Sequence, residues 1–359
     1  MKTRKQLFCF LLTIVMLFSL TTPALAGELT TEETLEDYAY AAMKRYIGIN
    51  GLGKELNMTQ PIRISNRSDD AWTVFLFDGV NCVGKMTVAR VNGSFTSSFC
   101  AGSYDAVEPL VARNMPFALT VKDRSLLLLG ENTSATLEGP TVLLSAAETK
   151  ALLSSAQSQT ASLRKVTLTE AEMAAKSTGY MLDVPFVANG YSPDTGEGIC
   201  WAAAMASIIR CRTGMYSYLT AVGLYNVLSN TYDSAITNPH ANAIWLSRCL
   251  DLYNLSYSTY GAGTTYDGVK NIIENQRRPI YAGLRATLSV AHAVVIAGFT
   301  SGYGYDYYIL VDSNLDEVED FDTDTPTGII HVEVTNRSAT SFTYPAGDFT
   351  YTSWFRRIH

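Results

Sequence analysis

The stretch that most constrains this chain is Ala293-Val294-Val295-Ile296-Ala297-Gly298-Phe299, headed by His292. It is nearly all apolar and ends against a Thr300–Gly304 turn region, so it reads as a strand that must be buried on both faces. Strands are expected on either side of it, over 279–284, 305–311, 328–335 and 349–358. Helical periodicity comes earlier, over a helix beginning near Cys200 and over 218–229, 241–253 and 267–276. Helices first and strands after describe an α+β domain over residues 180–359, a helical half facing an antiparallel sheet half.

The other end of the chain bears on the compartment. Lys2, Arg4 and Lys5 precede an uncharged apolar run over residues 7–20, followed by small residues at Ala24 and Ala26. That pattern predicts a secretory signal peptide over residues 1–26 and a secreted, extracellular mature protein. The run is shorter than the ~20 residues needed to cross a bilayer, and no membrane association is expected once the signal is cleaved. A net charge of −7 argues against nucleic acid as a partner. Export permits disulfides. Cys9 leaves with the signal, and Cys82, Cys100, Cys200, Cys211 and Cys249 remain. Two disulfides drawn from Cys82, Cys100, Cys211 and Cys249 with Cys200 free fit that odd count, as do four buried thiols.

Residues 27–144 read as a small α+β domain of their own. Thr30 to Glu33 forms a capping box, and Leu35, Tyr38, Ala39, Ala42, Met43, Tyr46 and Ile47 make an apolar helical stripe that stops at Gly48. The period then changes to two, predicting strands over 61–65, 72–77, 81–91, 94–99, 117–121, 125–130 and 136–144, with hairpin turns at Asp78-Gly79 and Asn92-Gly93. Residues 145–179 differ in kind. Ser145 and Glu148 cap a short helix, a Ser/Gln/Ala-rich tract follows, and the whole reads as an exposed connector with a processing site, the boundary falling near Lys176.

The chemistry centres on Cys200. Gly196-Glu197-Gly198-Ile199 runs straight into Cys200-Trp201-Ala202-Ala203-Ala204-Met205, placing the sulfur at a helix's first turn. Unpaired N–H groups and the positive end of the helix dipole favour a thiolate there. Of the four histidines, His240 lies in a loop, His359 ends the chain and His331 alternates in a two-faced strand as a surface or edge residue. His292 opens the buried strand. The strand after it ends at Asp312, and a hairpin would bring Asp312 near the level of His292. A carboxylate ending an apolar strand needs a partner, and one bonded to an imidazole fixes its tautomer and steadies its charged form. Cys200, His292 and Asp312 make a chemically complete nucleophilic set.

These pieces resemble the compact bacterial papain-like cysteine peptidases, the staphopains among them. The resemblance rests on Val184-Pro185-Phe186, Cys200-Trp201-Ala202-Ala203, Arg278-Pro279-Ile280, the strand from His292 to Phe299, and Tyr308-Ile309-Leu310-Val311-Asp312. It covers about residues 180–320. The His follows the Cys by 292 − 200 = 92 positions, against roughly 130–150 in plant papains. The resemblance implies Cys200 as nucleophile, His292 as general acid/base and Asp312 as orienter, with Asn314 as the alternative orienter. It implies an oxyanion donor before the nucleophile, where Asn189 stands in place of Gln and ten residues separate it from Cys200. Also implied are protein or peptide substrates, no cofactor or metal, and an N-terminal domain acting as an intramolecular inhibitor. A transglutaminase-like acyltransferase, a cell-wall amidase and a non-catalytic binding protein on the same scaffold stay open. Residues 312–324 carry seven acidic side chains, but Thr325 and His331 stand where a calcium loop needs Gly and Glu.

Overall fold

The structure is a computed structural model that describes residues 34–53, 55–232, 243–256, 265–287, 290–314 and 328–355. Among the described residues it is a mixed α+β chain with eight α-helices and a large, mostly antiparallel sheet. The expected signal segment, the expected Thr30–Glu33 box, His240, His359 and the acidic run beyond Asn314 lie outside the described residues. No described helix is long and apolar enough to cross a membrane.

The N-terminal lobe begins with helix Leu35–Asn50, capped by the Thr34 hydroxyl, which accepts from the Asp37 N–H, and stopped by Gly51 at φ 64°. Its stripe (Tyr38, Ala39, Ala42, Met43, Tyr46 and Ile47) is buried against Leu56, Val74, Met86, Val88 and Phe99 of the sheet. Strands Ala71–Asp78, Asn81–Val91 and Ser94–Ala101 form a meander whose second turn, Asn92-Gly93, has both residues at positive φ. A second small sheet pairs Pro116–Lys122 with Ser125–Gly130 and Ser125–Gly130 with Thr133–Glu138, and Ile62–Ser65 joins it in parallel.

Two expectations change here. The strand expected over 136–144 ends at Glu138, where Gly139 turns at φ 82° and sends residues 139–143 towards the other lobe. The Gly139 N–H donates to Asn314 O at 2.8 Å. The expected connector is not a loose linker either. Gln159–Thr160 pairs with the Pro116–Lys122 strand, and Leu163–Thr167 pairs along the whole of Glu55–Thr59. Ala161, Val166 and Leu168 are buried there. Those few apolar side chains are enough to fasten a polar tract to an open sheet edge. The exposed passage between lobes shrinks to residues 174–177, because Thr178–Met181 already pairs with Gly298–Ser301.

The C-terminal lobe is organised on strand Ala291–Gly302, in which every residue from His292 to Thr300 is buried. It pairs with Ile280–Arg285 on one side and Tyr305–Val311 on the other, the latter across a two-residue Tyr303-Gly304 turn. Helix Cys200–Thr213 packs on this sheet, its residues Cys200 to Arg210 all buried, with helices Ala221–Tyr232 and Ala243–Leu252 beside it. Fully burying Trp201, Ile208 and Ile209 contributes roughly 1.5–3 kcal/mol each. The helix expected over 267–276 is a short α-helix, Tyr266–Lys270, that widens into one π turn, Asn271–Asn275.

His331 is not on an edge. Its strand, Ile329–Glu333, pairs with Tyr305–Val311 on one side and with Ser94–Ala101 of the N-terminal lobe on the other. The sheet therefore runs unbroken through both lobes, and enclosure between strands pushes the imidazole of His331 down to about 4. The five cysteines among the described residues are all free thiols. Burial pushes Cys82 up to about 12 and Cys100 up to about 11, so these are inert core residues.

Candidate active site

Cys200 is the first residue of its helix, as the glycine-to-alanine change in composition predicts. No side chain caps that helix, which leaves first-turn N–H groups for an anion at the sulfur. The loop before it is long in sequence and short in space. Tyr191 and Gly198 form a β-bridge, Ser192 N–H donates to Glu197 O, and Ile199 N–H donates to Gly190 O, closing the loop on itself. Asn189 and Cys200 end up lining the same cleft of about 400 Å³, together with Arg124, Tyr191, Gly198 and Asn314.

His292 comes to Cys200 from the sheet. Its Nε2 lies 2.7 Å from Asp312 Oδ1, both side chains essentially without solvent contact. Asp312 follows strand Tyr305–Val311, whose Val311 pairs with Val295, so the hairpin delivers the carboxylate to the imidazole as its geometry requires. The two lobes of the carboxylate are fully used. Oδ1 also accepts the Asn314 N–H at 2.9 Å, and Oδ2 accepts the Tyr344 hydroxyl at 2.8 Å. Asn314, the alternative orienter, does not touch the imidazole; its Oδ1 accepts instead from the Asn189 side-chain amide at 2.9 Å. His292 Nδ1 is buried without a hydrogen-bond partner, and the Cys200 thiol, after Asp312, raises the proton affinity of the imidazole.

The electrostatics favour charge separation between the thiol and the imidazole. Burial alone would push the Cys200 thiol up, but the hydrogen bond and charge of His292, then the charge of Arg124, outweigh it and bring the thiol down. For His292, burial opposes the charged form, while the Asp312 carboxylate and then Cys200 overcome that and push it up to about 10. Burial would raise Asp312 as well, and the imidazolium with the Asn314 and Tyr344 donors holds it below the usual carboxylate range. A thiol brought down beside an imidazole pushed up, itself held by a carboxylate, favours the thiolate over the thiol.

Sequence reasoning missed four residues around this set. Tyr344 donates to Asp312 from strand Thr343–Pro345. Tyr351 sets its ring 5.7 Å from the His292 ring, and its hydroxyl donates to Asp348 Oδ2 at 2.8 Å. Arg124, from the N-terminal lobe, donates from Nη2 to Ala291 O at 3.0 Å and to the Tyr351 hydroxyl at 3.5 Å. None of them had a readable signal: Asp123-Arg124 become a two-residue hairpin turn because the strand expected to end at residue 121 runs on to Lys122. Both sit at positive φ, 51° and 66°. Among the described residues there is no cluster able to hold a metal ion. Searches against family models and against curated proteins found no match to this chain.

Proposed function

We propose that this chain is a secreted, papain-like cysteine endopeptidase made as a precursor, with Cys200 as nucleophile, His292 as general acid/base and Asp312 as orienter. The observation that carries the reading is the single imidazole set between the helix-start thiol and a carboxylate 2.7 Å away. The thiolate sulfur bonds to a peptide carbonyl carbon, and the carbon–nitrogen bond breaks as the imidazolium gives its proton to the leaving amine. Water then adds to the thioester, passing a proton to His292, and the thiolate leaves with the acid product released. The Cys200 backbone N–H is one donor for the oxyanion. Asn189 stands at the cleft wall as the second, its amide nitrogen having two hydrogens and giving one to Asn314.

The N-terminal lobe supplies the inhibitor in this reading. Residues 140–143 and Arg124 line the same cleft as Cys200, where a substrate chain must lie. The engagement of Asn189 by Asn314 is the one observation that favours a non-catalytic scaffold. Labelling by a thiol-directed epoxide tests the reading: the wild type labels and Cys200→Ala does not, whereas equal labelling of both would refute it. Casein hydrolysis measured beside amine incorporation separates a peptidase from an acyltransferase, and incubation of precursor with and without Cys200→Ala shows whether a cut near residue 176 is autocatalytic.

A further inference from the structure

The lobes share more than a covering surface. Ile330, His331 and Val332 pair with Cys100, Phe99 and Ser98, so the last strand of one lobe is the next strand of the other. Their apolar interiors also cross the boundary. Tyr307 of the C-terminal lobe is fully buried in the N-terminal core, 5.4 Å from the Tyr46 ring. Cys100 of the N-terminal lobe belongs in turn to the C-terminal core.

Charge is buried across the same boundary. Glu333 accepts from the Tyr38 hydroxyl at 2.6 Å and the Ser97 hydroxyl at 3.2 Å, and pairs with Arg45 at 3.5 Å, every partner lying on the N-terminal lobe. Arg67 grips the turn of the C-terminal hairpin, with Nη1 donating to Gly347 O at 3.1 Å and Nη2 to the Thr350 hydroxyl at 2.9 Å. That hairpin carries Tyr344 and Tyr351. Taking the lobes apart would open a sheet edge, wet two interiors and strand a buried carboxylate. An inhibitor that only plugs a cleft needs none of this.

We propose that the N-terminal lobe stays in place after the connecting chain is cut, so that the processed protein is a non-covalent two-chain molecule. The partner of the strand Ile329–Glu333 is then the protein's own N-terminal chain. Release of the cleft falls to residues 139–143 and the Arg124 turn alone. The proposal takes the processing near residue 176 from the peptidase reading, but the interface it rests on does not depend on catalysis.

The test is made on full-length Cys200→Ala protein with a site for a sequence-specific protease inserted between Lys176 and Ser177, an exposed passage. After complete cutting, size-exclusion chromatography and native mass spectrometry should give both chains together at the mass of the uncut protein, at concentrations down to about 1 μM. Urea should then separate them. Two separate species in buffer would overturn the proposal. A second protein carrying Tyr46→Ala as well, which removes the ring packed on Tyr307, should release its N-terminal chain at lower urea; release at the same urea would count against the shared core. Because the nucleophile is absent, these outcomes are independent of the epoxide labelling that tests the peptidase reading.

Discussion

Replacing Asp312 by Asn keeps the shape of the side chain and removes its charge. In the wild type, burial works against a charged His292, yet the imidazole is pushed up to about 10 from an ordinary 6.5. That difference corresponds to about 5 kcal/mol of extra proton affinity. Asp312 is the foremost favourable contribution, ahead of Cys200, so the neutral amide removes the larger share. The imidazole then loses its proton to water more readily, and the thiolate loses the charge that brings it down. Neutralising the orienting carboxylate of a nucleophile triad costs about 10⁴ in turnover, or ~5 kcal/mol of barrier. Asp312→Asn should therefore lower kcat/KM on a peptide substrate by roughly 10³–10⁴. It should also move the acid limb of the iodoacetamide reaction at Cys200 to higher pH. The pH profile matters more than the rate, since a merely misfolded site would lose rate without moving the limb. An alkylation profile superimposable on the wild type would refute the ion pair.

The remaining expectations are shorter. Tyr344→Phe leaves Asp312 Oδ2 without its buried donor; it should destabilise the fold by about 1–3 kcal/mol, read as a lower midpoint in urea, and slow turnover less than Asp312→Asn does. Arg124→Gly relieves a left-handed backbone at φ 66° and withdraws the guanidinium from Ala291 O. Because the Arg124 charge also brings the Cys200 thiol down, the readout is the rate of epoxide labelling of the uncut protein relative to the smaller iodoacetamide; that ratio should rise, and an unchanged ratio would remove Arg124 from the occluding set. The stability carried by charged His292 is fully present below the unfolded pKa of about 6.5 and lost as pH rises through about 10. The Tm difference between wild type and His292→Gln should accordingly narrow over that window, and a difference constant in pH would sink the assignment.

Local chemistry made the core of the site legible. The helix start at Cys200 follows from glycines giving way to alanines, and the His292–Asp312 contact follows from two apolar strands joined by a tight turn. What stayed hidden arrives from far along the chain. Tyr344 and Tyr351 sit on a hairpin whose closeness to His292 depends on the pairing of Thr350–Phe355 with Ile280–Arg285. His331 looked like an edge residue because its strand alternates; the neighbour that encloses it, Ser94–Ala101, lies over 200 positions earlier. The connector misled for the opposite reason, since its composition is that of a linker. Its three buried apolar residues, Ala161, Val166 and Leu168, are too few to show as a period, yet enough to dock on an edge that is already there.

The ten residues between Asn189 and Cys200 carry the same lesson into the chemistry. Counted along the chain, they set Asn189 too far from the sulfur to help an oxyanion. Folded, they return on themselves: Ser192 N–H to Glu197 O at 2.8 Å and Ile199 N–H to Gly190 O at 2.8 Å cancel the insertion and leave its two ends side by side. The cost of closing so short a loop is a small entropy, met by those bonds and by the Tyr225 hydroxyl, which donates to Asp194 at 2.8 Å and ties the loop tip to the neighbouring helix. The Asn189 N–H is then fixed on Ser313 O at 3.1 Å and its side-chain amide on Asn314. In the peptidase reading, the residue that orients the oxyanion donor is thus on the same turn as the residue that orients the base, which couples the two halves of the site through Asp312-Ser313-Asn314.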